Sequence, residues 1–234
     1  MVLACWDYQD DHVAFLARLE SIEAAGCRVF NPPALVRWNI RKTYLRELEA
    51  KGAPIVPTLW AEAPQGSDIR AAFARFQCDD VVLKRQVGAG ARGQARFSRS
   101  TAPADGAVLD RPGMIQPLIR SVLDEGEYSF LFVDGAFSHA LIKRPTAGDY
   151  RIQAAYGGQS AKIEPAAADL AQADAVLRTL AEPPLYARVD MARGDGGGLM
   201  LMELEAIEPF LFPVEGPQIG AMLAKAILKR LGEA

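Results

Sequence analysis

Between Tyr186 and Glu205 the sequence alternates apolar and polar residues on both sides of a glycine turn, Gly194-Asp195-Gly196-Gly197-Gly198. Alternation with a period of two around such a turn predicts an antiparallel hairpin. Strand side chains alternate faces, so Arg188 and Asp190 point one way on the first strand, as do Glu203 and Glu205 on the second. Three carboxylates, Asp190, Glu203 and Glu205, therefore converge on one small region. Like charges held that close are unfavourable unless a cation or protons neutralise them. With no histidine or cysteine nearby, an oxygen-only donor set favours a hard ion, Mg²⁺ or Mn²⁺. Solvated carboxylates on an edge strand are the plainer reading. The run Leu199-Met200-Leu201-Met202 is too apolar for an open edge, which favours the metal site.

The 234 residues suffice for a sizeable core, as one large domain or two intimate lobes. A hydrophobic share of 50% and a charged share of 24% describe an ordinary soluble globular protein. The net charge of -3 argues against nucleic acid as the main partner. Cys5, Cys27 and Cys78 are widely spaced and lack a CxxC pair, which suits buried, inert thiols in a reducing cytoplasm. His12 and His139 are the only histidines, too few for a His-based zinc site or a catalytic triad. The opening apolar run is too short for a signal peptide, and no stretch reaches membrane length, so no membrane partner is expected.

Along the chain, Val2 to Trp6 and Arg28-Val29-Phe30 read as strands around a helix capped by Asp10 or Asp11 and ended by Gly26. Asn31-Pro32-Pro33 is a break. Asn39 is expected to cap a second helix carrying Lys42, Leu45 and Leu48, closed by Gly52. An extended stretch at 55–58 leads to a helix from Ser67 to about Gln77, then to a strand from Asp80 to Arg85 with high β-propensity. Residues 101–113 form a surface loop, and 114–119 are extended. Glu127 to Val133 and Phe137 to Ile142 flank Asp134-Gly135, a strong hairpin signal. Helices over 167–180 and 217–231 bracket the carboxylate hairpin.

Gly88, Gly90 and Gly93 spell GxGxxG after a strand, but the polar, strand-like Gln94-Ala95-Arg96-Phe97 follows instead of a helix. The Rossmann reading fails for that reason. A glycine-rich hairpin can fold over a triphosphate, its amides approaching the oxygens, with Lys84 supplying an ammonium. A plain surface hairpin is an equal reading. No GxxxxGK[ST] is present, and no HRD or DFG set suggests a protein kinase. Lys143-Arg144 and Arg151 add a basic set, one of Lys143 and Arg144 entering the cleft. Lysine, arginine and Mg²⁺ together are what phosphoryl transfer needs.

In this order the parts resemble the ATP-grasp superfamily of carboxylate–amine ligases. A lysine stands before G-x-P, a second lysine on a strand precedes a glycine loop, and an Asp and an E-x-E pair followed by proline close the series. The resemblance runs from about Asn31 to the C-terminus. Asn31-Pro32-Pro33, Gly126-Glu127-Tyr128-Ser129, Ser138-His139 and Glu203-Leu204-Glu205-x-x-Glu208-Pro209 make it similar to prokaryotic glutathione synthetase and the D-cycloserine-forming cyclo-ligase. The resemblance implies that Lys42 and Lys84 contact nucleotide phosphates under a lid formed by Gly88, Gly90 and Gly93. It implies that Gln116, Leu118 and Ile119 meet adenine, that Glu127 binds the ribose, and that Asp190, Glu203 and Glu205 hold magnesium. Lys143 and Arg151 match positions near the transferred phosphoryl group, and with Arg188 they are the candidate catalytic residues. Many relatives carry Asn where Glu205 stands, so this site holds an extra negative charge.

The expected fold is α/β (α+β): two α+β lobes with a mainly antiparallel sheet, preceded by the tail of an incomplete open α/β domain. Residues 1–33 read as the remnant of that N-terminal domain. Residues 34–234 read as the ATP-grasp domain, with lobes at about 34–115 and 116–234. The expected activity is an ATP- and Mg²⁺-dependent ligase forming an amide-type bond between small-molecule carboxylate and amine substrates through an acyl phosphate. The alternative is a nucleotide-binding module without turnover because its front is incomplete. A third reading, a structural partner-binding domain, leaves the clustered carboxylates to chance. A homodimer through Val2 to Trp6, or through the helix from Asp11 to Ala25, would cover a strand apolar on both faces.

Overall fold

Two alternating hairpins from the second half of the chain build the larger sheet. The computed structural model describes residues 1–232 and divides into two units, Met1–Pro54 with the chain from Ser121 onward, and Ile55–Arg120. In chain order the first unit begins with helices α1 (His12–Ala24), α2 (Pro33–Asn39) and α3 (Tyr44–Ala50). The second unit holds β1 (Leu59–Ala61), α4 (Gly66–Phe76), β2 (Asp80–Arg85), β3 (Ala95–Ser98) and β4 (Gly113–Pro117). The chain then returns to the first unit with α5 (Ser121–Asp124), β5 (Glu127–Val133), β6 (Ala136–Arg144), β7 (Gln159–Ile163), α6 (Ala167–Arg178), β8 (Tyr186–Arg193), β9 (Leu199–Glu205) and α7 (Ile219–Leu231).

The second unit is a four-stranded antiparallel sheet in the order β1-β4-β2-β3. Helix α4 buries Ile69, Ala72 and Phe73 against Val81, Leu83 and Ile115. Gln77, with φ at 51°, ends that helix in the left-handed region. The first unit is a five-stranded antiparallel sheet in the order β7-β6-β5-β8-β9. Asp134 and Gly135, both with positive φ, make the tight β5–β6 turn that their sequence signals.

One face of the larger sheet splits into two halves. Leu131, Val133, Leu141 and Tyr186 form an apolar half beneath Ile219, Leu223 and Ala226 of α7. Further along the same strands, the alternation sets Glu127, Ser129, Lys143, Asp190 and Glu203 on that face. Burial of the apolar half fixes the register, and the register in turn places the charges.

The last residues of the edge strand β9, and Ala206 just beyond it, are closed by side chains. Asn39 donates to Leu204 O (2.8 Å) and accepts from Ala206 N (3.0 Å). The Tyr44 hydroxyl donates to Leu204 O (3.0 Å) and accepts from Leu204 N (2.9 Å). Asn31, fully buried with φ at 52°, donates to Tyr186 O and Ala206 O and accepts from Leu185 N.

Several local expectations are corrected here. Val2 to Trp6 and Arg28 to Phe30 form no strand, so the β-α-β remnant at 1–33 reduces to helix α1, capped by Asp11. A lone strand leaves its backbone groups unpaired. The front instead turns, with Tyr8 N donating to Cys5 O, and is tied down by the Trp6 indole on Glu208 O (3.3 Å). The argument for a homodimer from a doubly apolar strand loses its basis, and Trp6 is 54% exposed. Asn39 ends α2 instead of capping a helix, because Pro33 at the first helical position starts that helix earlier. Lys42 consequently lies in the turn before α3. The three cysteines are free, and Cys27 is exposed rather than buried. Among the described residues, no helix is long and apolar enough to cross a membrane.

Candidate active site

Glu127 stands directly opposite Lys143 across β5 and β6, and its carboxylate takes the Lys143 ammonium at 2.7 Å. Gly126 makes this approach possible. Its φ is +119°, and a Cβ there would lie 2.7 Å from the Ile142 side chain and 2.8 Å from Lys143 O. Lys143 also reaches Asp190 Oδ1 at 3.3 Å. Of the neighbouring pair, Lys143 is buried and Arg144 exposed, so Lys143 is the one that enters the site.

Asp190 is the hub. Its registered neighbours are Ser129 on β5 and Glu203 on β9. The Ser129 hydroxyl donates to Asp190 Oδ1, and Arg188 donates to both carboxylate oxygens at 2.9–3.1 Å. Arg188 also donates to the Glu205 carboxylate and, at 3.3 Å, to Phe210 O. Arg188 and Glu205 are opposite in register, as Asp190 and Glu203 are. A bulge follows at Asp190/Met191. At the sheet edge, Lys42 pairs with Glu203 at 2.8 Å.

The charges of this row control one another. Burial pushes the Asp190 carboxyl up, but the Arg188 and Lys143 cations outweigh it and hold the group at about 2. Burial pulls the Lys143 ammonium down, and Asp190 and Glu127 more than restore it. The balance is reversed further along β9. Burial, with Glu203 and Asp190 adding to it against Arg188, pushes Glu205 up to about 7. Burial and then Glu205 and Glu203 push Glu208 up to about 8. Tyr8, buried in the N-terminal segment, hydrogen-bonds Glu208, and burial followed by that charge holds its phenol far above the ordinary value.

This geometry has named relatives. The chain is 34% identical to the cycloserine biosynthesis protein DcsG of Streptomyces lavendulae, over 97% of this chain and 81% of that protein. The chain belongs to the ATP-grasp family of ATP-dependent ligases. The crystal structure of D-cycloserine synthetase DcsG superposes on 98% of this chain and 82% of its own, with a TM-score of 0.85 and 26% identity. The glutathione synthetase of Prochlorococcus marinus (strain MIT 9313) is 35% identical over 62% of this chain, a match spanning 47% of that protein. No protein-family model matches the chain.

The other candidate residues lie in both units. In the second unit, Lys84 is half-buried on β2, opposite Met114. Gly88, Gly90 and Gly93 lie in the β2–β3 loop. Gly93, with φ at +70°, has Arg85 Nε 2.5 Å from where a Cβ would sit, so any side chain there is strained and displaces the Arg85 guanidinium. Gln116 is buried on β4, its amide donating to Thr58 Oγ1 at 2.9 Å. Leu118 N donates to Asp80 O at 3.0 Å, and Ile119 follows it. In the first unit, Arg151 stands apart from the charged row. Asp149 takes its guanidinium through Nε and Nη2, at 2.7 Å for the shortest contact, and the Tyr156 ring lies 3.6 Å away.

The metal expectation needs one correction. Among the described residues, no three His, Cys, Asp or Glu side chains form a group ready to hold a metal ion. Asp190, Glu203 and Glu205 instead face Lys143, Arg188 and Lys42, so protein cations supply the neutralisation expected of a metal. The donor set still fits a hard divalent cation. It offers carboxylate oxygens alone, with Asp190 and Glu203 opposite in register and Glu205 two residues further along β9.

Ser129 and Glu208, quoted from the sequence only as parts of motifs, and Tyr8, which was not, also join the site. Ser129 was signalled by alternation, two residues beyond Glu127 on the same face. Tyr8 had no local signal, since it reaches Glu208 from the far end of the chain.

Proposed function

We propose that this ATP-grasp protein joins a small-molecule carboxylate to an amine through an acyl phosphate, at the cost of ATP. The observation that carries the reading is the buried alternation of Lys143, Asp190, Arg188 and Glu205 on one sheet face. In the proposed reaction a substrate carboxylate oxygen attacks the γ-phosphorus, the bond to the β–γ bridging oxygen breaks, and ADP leaves. The amine nitrogen then attacks the acyl carbon and gives up a proton to solvent, and phosphate departs with the electron pair of the C–O bond. Both steps gather negative charge on phosphoryl oxygens, and fixed cations stabilise it without having to reorganise.

Lys143 and Arg188 are those cations. Glu127 and Asp190 fix their ammonium and guanidinium groups, and Ser129 fixes Asp190 in turn. Arg151 would join them only by leaving Asp149. Asp190, Glu203 and Glu205 would hold a divalent cation, Mg²⁺ or Mn²⁺, which supplies further charge neutralisation to the phosphates when bound. Lys42, Lys84, Gly88, Gly90 and Gly93 would contact the nucleotide phosphates, Gln116, Leu118 and Ile119 the adenine, and Glu127 the ribose. Relatives named for cycloserine and glutathione synthesis support small carboxylate and amine substrates. The free cysteines suit a reducing cytoplasm.

Hydroxylamine tests the intermediate. With ATP, Mg²⁺ and a panel of amino and hydroxy acids, the protein should release ADP and form a hydroxamate, because hydroxylamine intercepts an acyl phosphate. Magnesium-dependent ADP binding without ADP release or hydroxamate for any acid would favour the nucleotide-binding module instead.

A further inference from the structure

Lys42 and Glu203 form an ion pair of 2.8 Å whose side chains are 11% and 32% exposed. The fold builds this pair. Asn39 and Tyr44 flank the turn that carries Lys42, and both are hydrogen-bonded to the β9 backbone at Leu204, with Asn39 also holding Ala206. Lys42 is thereby held beside the strand next to Glu203. The two members are also the residues for which the proposed ligands compete. A nucleotide phosphate is an alternative anion for Lys42, and a divalent cation is an alternative counter-ion for Glu203.

Resting on the proposed use of ATP with a divalent cation, we propose that the Lys42–Glu203 ion pair couples the binding of the two. Nucleotide arriving alone takes Lys42 and leaves Glu203 without that ammonium, on the same strand as Glu205 and opposite Asp190. A metal ion arriving alone takes Glu203 and deprives Lys42 of that ion pair. Opening the pair gives up an ion pair whose lysine side chain is only 11% exposed, and that is unfavourable. Only joint arrival gives both charges new partners, so each ligand strengthens the other, and linkage makes the effect reciprocal. The pair acts as a built-in competitor against either ligand alone.

The proposal makes an unusual demand: removing a carboxylate from the metal site should tighten metal-free nucleotide binding. Calorimetric titration of ADP into the full chain, in EDTA and then in Mg²⁺, tests it. Glu203→Gln should bind ADP in EDTA about fivefold or more tightly than wild type, and should gain less from Mg²⁺. Lys42→Met provides a second arm independent of nucleotide. Its affinity for Mn²⁺ alone, read from the free-ion paramagnetic resonance signal, should rise by a similar factor. If wild type binds ADP with Mg²⁺ but Glu203→Gln shows no gain in EDTA, or Lys42→Met no gain for Mn²⁺, the coupling role is overturned while the nucleotide site stands. If wild type binds ADP under neither condition, the underlying reading falls as well. Should Glu203→Gln fail to fold, the Lys42→Met arm decides.

Discussion

Carboxyls of this site have opposite fates because their partners differ. Asp190 has Arg188, Lys143 and Ser129 around it and sits at about 2, whereas Glu208 has a phenol and two further glutamates near it and sits at about 8. The two groups make opposite contributions to stability. Asp190, lowered from 3.8, stabilises the fold above its unfolded value, and that contribution disappears as the pH falls towards 2. Glu208, raised from 4.5, contributes stability below 4.5 that is lost as the pH rises through about 8. Glu208→Gln should therefore leave stability near pH 5 little changed. Above pH 8 it should raise stability by about 1–2 kcal/mol, less than the full shift implies because the surroundings relax. Urea unfolding at the two pH values checks this, and a variant equally destabilised at both would show that the Glu208 carboxyl is held by favourable contacts. The sequence exposed the negative side of this balance, since alternation alone brought Asp190, Glu203 and Glu205 together. It did not expose how the balance is met. Beyond Arg188, which alternation already set on the face of Asp190, Lys42 and Lys143 come from separate segments, and their meeting with the hairpin depends on sheet order and on the turn before α3 rather than on any local pattern.

At the level of elements, legibility followed the locality of the signal. The β5–β6 and β8–β9 hairpins were readable because turn chemistry and alternation lie within a few residues of each other. The front of the chain was misread because Val2 to Trp6 has strand composition but no strand beside it. Asn39 looked like a helix cap because its type suits that role, yet its amide is used to close the edge of β9. Asn31 performs a similar service at Tyr186, Leu185 and Ala206, in a left-handed conformation that Asn tolerates. Asn31→Ala would strand three buried backbone groups. Chemical denaturation should show a loss of about 3 kcal/mol or more, each orphaned group costing on the order of 1 kcal/mol or above. A loss under about 1 kcal/mol would mean that water or a shift of the loop replaces those bonds. Along the apolar run Leu199 to Met202 the edge is met by Gln172, which accepts from Leu199 N at 2.7 Å, and by Pro54 O, which accepts from Leu201 N at 2.6 Å.

For the molecule as a whole, the two units share one construction, an antiparallel sheet carrying charged residues positioned by register, and the chain's relatives place both in one ATP-grasp ligase. The division observed at 54/55 and 120/121 follows the sheets, and the helices α1 to α3 belong with the sheet that carries the charged row. The central claim is that the charged row on the larger sheet serves ATP with a divalent cation. Melting temperature in the presence of a non-hydrolysable ATP analogue tests it most directly, since a ligand that binds only the folded state raises it. With Mg²⁺ the wild-type melting temperature should rise by about 5 °C or more at saturating nucleotide. In Asp190→Asn the rise should largely vanish. A wild-type protein unmoved by nucleotide and Mg²⁺, or an Asp190→Asn variant shifted as far as wild type, would contradict the account.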